Sequence, residues 1–334
     1  MTMKIGVALV GPGRIATAHV ASISKAADIA QLTAVVGLPA EDARTAELAR
    51  KFGAMRATSD LDGVLADPLT HAIVLSVPNH LHCRIAIQAL SAGKHVLVEK
   101  PLATSLSDSD LMIAAARKFQ RVLMVGQCRR FFPALEQARE LLPSLGRPLD
   151  IVHILGLPIE TAPTDWWSST DAAGGGPVLW VNGPHFVDTV LWFMGEAPVD
   201  IYARGATYNA KQWRGADQMT AVMSFSDGSV ASGHLSFNMR PAANDQWIVG
   251  PKGTLRILND RSLFVNGELL TESEPEEYLQ GDISFERQFR AFAESVLGKK
   301  PPLITAEENR VTIEAMEKIE AKYRQNQIRS GGHV

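Results

Sequence analysis

The chain has little cysteine: Cys83 and Cys128 are its two thiols, too few for a disulfide framework and without metal-ligand spacing. A reducing compartment follows as the expected home. Long apolar runs are missing as well, and no segment reaches the about 18 uninterrupted apolar residues of a membrane span. The apolar start, Ile5 to Val10, is too short for the core of a signal peptide and runs straight into a glycine turn, so it reads as a strand. Charge of one sign is also lacking. Thirty-three Lys and Arg against 36 Asp and Glu leave a net charge of -3. That balance offers no basic footprint for nucleic acid and no polybasic patch for a membrane surface. These absences leave a cytoplasmic globular protein whose partner is a small molecule. With 334 residues, 46% of them hydrophobic, the chain can build two domains that each bury a core.

Its first part alternates strand and helix. Lys4 to Val10 is a buried strand, followed at once by Gly11-Pro12-Gly13-Arg14-Ile15-Ala16 and a helical run to about Ala26. Such a Gly-x-Gly-x-x-Ala run is the dinucleotide fingerprint. Gly11 makes the tight turn, Gly13 lets backbone approach a pyrophosphate, and Ala16 lets helix pack on strand. The amides and positive end of that helix suit phosphate. A plain strand-to-helix turn is the rival reading, disfavoured by the setting between an opening strand and a helix.

Leu32 to Val36 is the second strand. An acidic residue at its end would bond a ribose 2′-hydroxyl and repel a 2′-phosphate, whereas an arginine would welcome that phosphate. The end reads Gly37-Leu38-Pro39, with neither, and Arg44 lies in a helical stretch from Glu41 to Lys51 as readily read as helix surface. The cofactor is therefore NAD or NADP, with weak discrimination expected.

Ala72 to Ser76 is a further strand, ending in Val77-Pro78-Asn79-His80-Leu81-His82, and a helix runs from His82 to Leu90. Taken singly, His80 and His82 are capping or surface histidines. Val96 to Val98 is the next strand, and Glu99 and Lys100 emerge at its carboxyl end, where open α/β sheets hold ligands. Pro101 stops the strand, leaving Lys100 as a cation with three donors. In isolation, Glu99 and Lys100 would read as a solvated charge pair. A helix from Ser105 to Phe119 and a strand from Val122 to Val125 lead into Gly126-Gln127-Cys128-Arg129-Arg130-Phe131. The fold class is α/β, a doubly wound parallel sheet over residues 1–126.

In their order and spacing, four stretches resemble the Gfo/Idh/MocA oxidoreductases, which include sugar and inositol dehydrogenases. They are Gly11-x-Gly13-x-x-Ala16, Val77-Pro78-Asn79-x-x-His82, Ala92-Gly93-Lys94-His95-Val96-Leu97-Val98-Glu99-Lys100-Pro101 and Gly126-Gln127-x-x-Arg130-Phe131. The likeness spans most of the chain and weakens after about residue 200. It implies an NAD(P)-binding Rossmann domain over 1–126 and an α+β domain over 127–334 for substrate binding and oligomerisation. The second domain would carry a large, mostly antiparallel, open-faced sheet through which copies pair as a homodimer or homotetramer. Cofactor contacts are implied at Gly11, Pro12, Gly13, Arg14, Ile15, Ser76, Pro78, Asn79, His82, Glu99 and Lys100.

The second half agrees on its own terms. Ile151 to Leu155, Asp200 to Thr207, Met219 to Phe225, Ser229 to Phe237, Gln246 to Gly250, Thr254 to Leu258 and Ser262 to Val265 are strand-like runs. Asp227-Gly228, Pro251-Lys252-Gly253 and Asn266-Gly267 are turn signals between them. A last helix, Glu307 to Asn326, is expected to pack back near the first domain.

Relatives of this kind carry a glycine cluster leading into a helix that presents an Asp and, four residues later, a His or Tyr to the nicotinamide. After Gly174-Gly175-Gly176, His185 matches the second, but the residue four before it is Val181. One residue is inserted, and Asn182 is the nearest polar substitute. Gly183-Pro184 would open a helical turn whose positive end keeps His185 neutral. Alternatively, His185 caps a helix whose Phe186, Val190, Leu191 and Met194 pack inward until Gly195 ends it. Trp166, Trp167 and Trp180 are core aromatics or sugar-stacking faces, with core expected for at least two. The resemblance implies hydride transfer between a substrate carbinol carbon and the nicotinamide, on a sugar, sugar acid or cyclitol. His185 would move the hydroxyl proton and Lys100 would polarise the oxygen. Asn182, Asp165, Trp167 and Arg130 are the expected substrate contacts, and no metal is expected. Two rivals stand: an NAD-dependent lyase or glycosidase working by transient oxidation, and a non-catalytic cofactor-binding sensor.

Overall fold

The computed structural model describes residues 4–329, which divide into two compact units. Among the described residues, the first comprises 4–131 with Glu276–Arg310, and the second Phe132–Pro275 with 311–329.

Six parallel strands form the sheet of the first unit: β1 (Ile5–Val10), β2 (Ala30–Val36), β3 (Arg56–Thr58), β4 (Ala72–Leu75), β5 (His95–Glu99) and β6 (Leu123–Gly126). Their order is β3-β2-β1-β4-β5-β6. Helices cover both faces, so the inner strands are apolar throughout: β1 and β4 are buried along their whole length. The order reverses between β1 and β4, and the loops leaving those strands diverge to open a crevice at their carboxyl ends. Gly11 and Ser76 lie at that point, where Ser76 Oγ donates to the Gly11 carbonyl at 2.8 Å.

The second unit is built on an eight-stranded sheet. It adds β7 (Asp150–Pro158), β8 (Asp200–Ala206), β9 (Gln218–Ser224), β10 (Val230–Ser236), β11 (Asn238–Gly250), β12 (Gly253–Leu258), β13 (Ser262–Val265) and β14 (Glu268–Glu272), in the order β14-β13-β12-β11-β7-β10-β9-β8. Only β7 and β10 pair in parallel. Alternation along the strands separates two faces. Ile151, Ala231, Met223, Ile248 and Leu255 are buried on one, whereas Val152, Tyr202, Trp247 and Val249 are exposed on the other.

The boundary expected at residue 126 gives way to a discontinuous division, because Glu276–Arg310 returns to the first unit. Helix Ile283–Val296 packs its apolar face on helix Ala16–Lys25. Phe285 meets the His19 ring edge-on at 5.2 Å, Arg290 pairs with Asp28 at 3.0 Å, and Lys25 Nζ donates to the Gly281 carbonyl at 2.8 Å. The last helix, Ala306–Arg329, has its first turn in this unit, where Gln127 Nε2 donates to Asn309 Oδ1 at 3.0 Å. Its remainder belongs to the second unit, where Asn326 Nδ2 donates to the Ala203 carbonyl at 3.0 Å. Strands β3 and β14 and helices Pro133–Leu145 and Ile283–Val296 are additions to the elements read from the sequence.

Candidate active site

At the end of β1, Gly11 has φ +97°, in the left-handed region that favours glycine. A Cβ there would sit 2.7 Å from the Ser76 carbonyl oxygen. A Cβ at Gly13 would find only that same oxygen, at 3.7 Å, so the turn is open above this residue. Helix Ala16–Lys25 follows with no side-chain cap on its first amides, and its opening residue is Ala16, 0% exposed against the sheet. A bare glycine backbone and a helix start with no side-chain cap fit the diphosphate of a dinucleotide. Pro12 is buried against Gly37, whereas Arg14 is exposed and Ile15 half-buried.

The end of β2 corrects the sequence reading, which found no carboxylate there. Pro39–Glu41 forms a 3-10 turn that folds Glu41 back, so that its Oε2 accepts the Leu38 N–H at 2.8 Å. A residue three positions past Leu38 thus brings a carboxylate to the end of β2. Arg44 is engaged, donating from Nη2 to Thr17 Oγ1 at 2.7 Å and pairing with Glu47 at 2.9 Å.

At the end of β5, Lys100 is half-buried and Glu99 is 8% exposed. Glu99 Oε2 accepts the Lys100 N–H at 3.1 Å and Oε1 lies 2.9 Å from His19 Nε2. Both carboxylate oxygens have protein donors, so Glu99 serves the strand end and does not face a cofactor as expected. His82 differs from expectation in the same sense. It is 0% exposed, with Nδ1 2.8 Å from the Pro101 carbonyl and Nε2 3.0 Å from the Val77 carbonyl. Burial pushes its pKa down, although the two carbonyls pull the other way, and the neutral ring donates to one of them. His82 therefore lies between the Pro101 and Val77 carbonyls and bonds one of them. In that loop, Pro78 is half-buried and Asn79 is 4% exposed. Arg130, expected to meet substrate, is 7% exposed and pairs with Glu308 at 3.5 Å.

In the second unit the inserted residue has a structural form. Val178–Asn182 is a π-helical turn running directly into helix Gly183–Met194. A π-turn accommodates one extra residue without breaking the helix. Gly183 has helical dihedrals (φ −58°, ψ −32°). His185 is therefore not in the first turn of a free helix, and the dipole argument for its neutral form lapses, because that effect fades within one turn. Phe186 fixes this helix against the sheet: a Cβ at Gly233 would collide with its ring, and His153 meets the same ring edge-on at 5.9 Å. His185 is half-buried, and Asn182, one turn before it, is 6% exposed with no hydrogen-bond partner on Nδ2. Asp188, one turn after, is buried and accepts from Thr312 Oγ1 at 3.5 Å. Asp165 is exposed at the start of the short helix Asp165–Ser168. Trp167 stacks on Phe237 at 6.0 Å and Trp166 meets Trp167 edge-on at 6.0 Å. Of the three tryptophans Trp180 alone is fully buried, packed on Gly175, which corrects the expectation of two in the core.

The fold thus brings Gly11, Gly13, Ser76, Glu99 and Lys100 to the carboxyl ends of one sheet, with His82 beneath them. Asp165, Trp167, Asn182 and His185 belong to the second unit. Sequence reasoning missed Glu41 and His19; the Pro39 turn was a signal for the first, and nothing local signalled the second. Among the described residues no cluster of metal-ligating side chains occurs, and no helix is long and apolar enough to cross a membrane.

Residues 5–127 match a family model described as "Oxidoreductase family, NAD-binding Rossmann fold", and residues 136–256 match the GFO/IDH/MocA C-terminal domain. The chain is 28% identical over 314 residues to a 4-carboxy-2-hydroxymuconate-6-semialdehyde dehydrogenase of a Sphingobium species, covering 89% of this chain and 91% of that one. It is 27% identical over 323 residues to the myo-inositol 2-dehydrogenase of Thermotoga maritima, with 93% of each chain covered. Among solved structures, GenD2 from gentamicin A biosynthesis in complex with NAD superposes with a TM-score of 0.84 at 26% identity, covering 98% of this chain and 96% of that one.

Proposed function

Because this chain belongs to the Gfo/Idh/MocA family of NAD-binding oxidoreductases, we propose that it oxidises or reduces an alcohol carbon of a polyhydroxylated small molecule, a sugar, sugar acid or cyclitol, using NAD. The observation that carries this reading is the placing of Lys100 at the carboxyl end of β5, in the sheet whose switch point carries the Gly11 turn. Bound NAD supplies the hydride acceptor or donor. The ammonium of Lys100 donates to the substrate oxygen and stabilises the negative charge that grows on it. His185 accepts or returns the hydroxyl proton. The unpartnered Nδ2 of Asn182 supports a role in holding a substrate oxygen, with Asp165 and Trp167 as further contacts. Glu41 supports NAD over NADP, since a carboxylate at the end of β2 repels a 2′-phosphate. The unpaired thiols Cys83 and Cys128 support a cytoplasmic home.

Pairing of two or four copies through the open sheet face belongs to the same proposal. Tyr202, Val222, Ser232, Val152, Trp247 and Arg256 form one cross-strand row on that face.

The test is a panel of sugars, sugar acids, inositols and their keto forms with each cofactor, read by absorbance of the reduced nicotinamide. Stoichiometric reduction of NAD by a polyol is the expected result. Substrate cleavage with no net change in NAD would overturn it in favour of a lyase or glycosidase, and binding of NAD without turnover of any compound would leave a sensor.

A further inference from the structure

His19 lies on helix Ala16–Lys25, buried to 2% exposure, with Nε2 2.9 Å from Glu99 Oε1. An ionised carboxylate can only accept, so this nitrogen carries the hydrogen. The other oxygen of Glu99 accepts the Lys100 N–H at 3.1 Å. Neighbours leave the pair no freedom. Phe285 stands edge-on to the imidazole at 5.2 Å, and on the paired strand a Cβ at Gly126 would come within 3.1 Å of Glu99 Oε1.

We propose that His19 is a positioning residue for Lys100: by donating to Glu99 it holds a full negative charge beside the Lys100 ammonium and fixes the strand end that carries it. This rests on the reading of Lys100 as a catalytic group.

The energetics make the device necessary. Burial drives the Lys100 pKa down, and Glu99 is the largest influence pulling it back. Glu99 also lies against the same residue in space, its carboxylate accepting the Lys100 N–H. Burial alone would push the Glu99 carboxyl up, but the His19 hydrogen bond, with Lys100 behind it, holds it below the usual carboxylate range. Without His19, desolvation would weigh more heavily on the charged form of Glu99, and the counter-charge of the ammonium would weaken. The neighbouring thiol and phenol carry no charge that could substitute for it. Burial pushes the Cys128 thiol up to about 12 and raises the Tyr278 hydroxyl, 3.2 Å from Cys128 Sγ, so both stay neutral. Burial likewise raises Asp282, whose charge acts on Cys128, and lowers the pKa of His82.

The experiment titrates Lys100 itself in the apoprotein. Lysines are labelled by reductive methylation with 13C-formaldehyde, the Lys100 signal is assigned by its absence in Lys100→Arg, and its shift is followed against pH. In His19→Leu the Lys100 titration should fall by about one pH unit or more. His19→Gln, which keeps a donor, should restore most of it. The alkaline limb of turnover should move with the ammonium in both variants, while NAD affinity changes less than about twofold. Should His19→Leu not fold, Glu99→Gln must lower the same titration. An unmoved Lys100 titration in a folded variant, or a His19→Gln protein displaced as far as His19→Leu, would overturn the proposal. A displaced titration with an unmoved turnover limb would uphold the coupling and remove Lys100 from the chemistry instead.

Discussion

Glu41 accepts the Leu38 N–H at 2.8 Å, which sets a carboxylate at the carboxyl end of β2 in a turn where the chain order suggested none. A 2′-phosphate brought there would meet like charge, and Arg44, the nearby cation, is already bonded to Thr17 and Glu47. The site is exposed, so solvent and salt weaken the repulsion. NAD should bind about tenfold or more tightly than NADP, roughly 1.4 kcal/mol, and Glu41→Gln should bring the two within about threefold. Calorimetric titration of both proteins with both cofactors decides it, and equal affinities in the unaltered chain would refute the role of Glu41.

The open face of the second sheet supports another prediction. Trp247 is 40% exposed, stacked under the Arg256 guanidinium at 4.8 Å, with Val152 opposite it on β7. Exposed apolar side chains such as Trp247 and Val152 on neighbouring strands suit a pairing surface. Trp247→Glu should weaken self-association by about a hundredfold or more, while monomer stability changes by about 1 kcal/mol at most, since the residue is already exposed in the monomer. Light scattering across concentration, beside urea denaturation, reads both. A chain that is monomeric at micromolar concentration before substitution would count against the interface.

These two cases mark what the sequence could disclose. The parallel sheet was legible because strands buried on both faces leave unbroken apolar runs, as in Ala72–Leu75, and because Gly11 meets a backbone requirement that few other residues satisfy. The extra residue before His185 was legible by counting, because the glycine cluster and the helix residues around Phe186 hold both ends of the segment. Its form as a π-turn was not, since spacing records an insertion and not the turn that absorbs it. His19 was hidden for a different reason. Its partner Glu99 is eighty positions away in the chain, and on its own helix His19 is one more residue on a buried face. The return of Glu276–Arg310 to the first unit was hidden likewise, because the apolar stripe of helix Ile283–Val296 does not say which surface it will cover.

Acid sensitivity should concentrate at the amino end of β5. Val122 N–H donates to His95 Nδ1 at 2.9 Å, which requires the neutral ring, and burial, with Arg121 and His71 adding to it, pushes the His95 pKa down to about 4. Unfolded, the same residue titrates near 6.5. The folded pKa lies below the unfolded one, so between those values the unfolded chain binds the extra proton, and stability is lost as pH falls from about 6.5 towards 4. Discounted for partial exposure, the loss is about 1–2 kcal/mol. His95→Asn keeps an acceptor for Val122 without a titrating group, so its urea midpoint should fall less over this range. Parallel curves for the two proteins would show that His95 does not carry the effect.

Lys100 is the most exposed element of the proposed chemistry. If its cation holds charge growing on the substrate oxygen, Lys100→Met should lower kcat by about a hundredfold or more, comparable with the loss of one oxyanion donor. NAD affinity should change far less, because the diphosphate is held by backbone at Gly11 and Gly13 and by the first amides of helix Ala16–Lys25. His185→Ala should also slow turnover, yet it removes a proton carrier and no fixed charge. Its loss should be partly recovered by added imidazole or at higher pH, whereas the Lys100 variant should recover by neither route. Steady-state kinetics of both proteins across pH, set beside cofactor binding by fluorescence, separates the two roles. A Lys100→Met enzyme with near-normal kcat, or one impaired only in binding NAD, would make the strand-end lysine a structural residue and remove the basis of the mechanism.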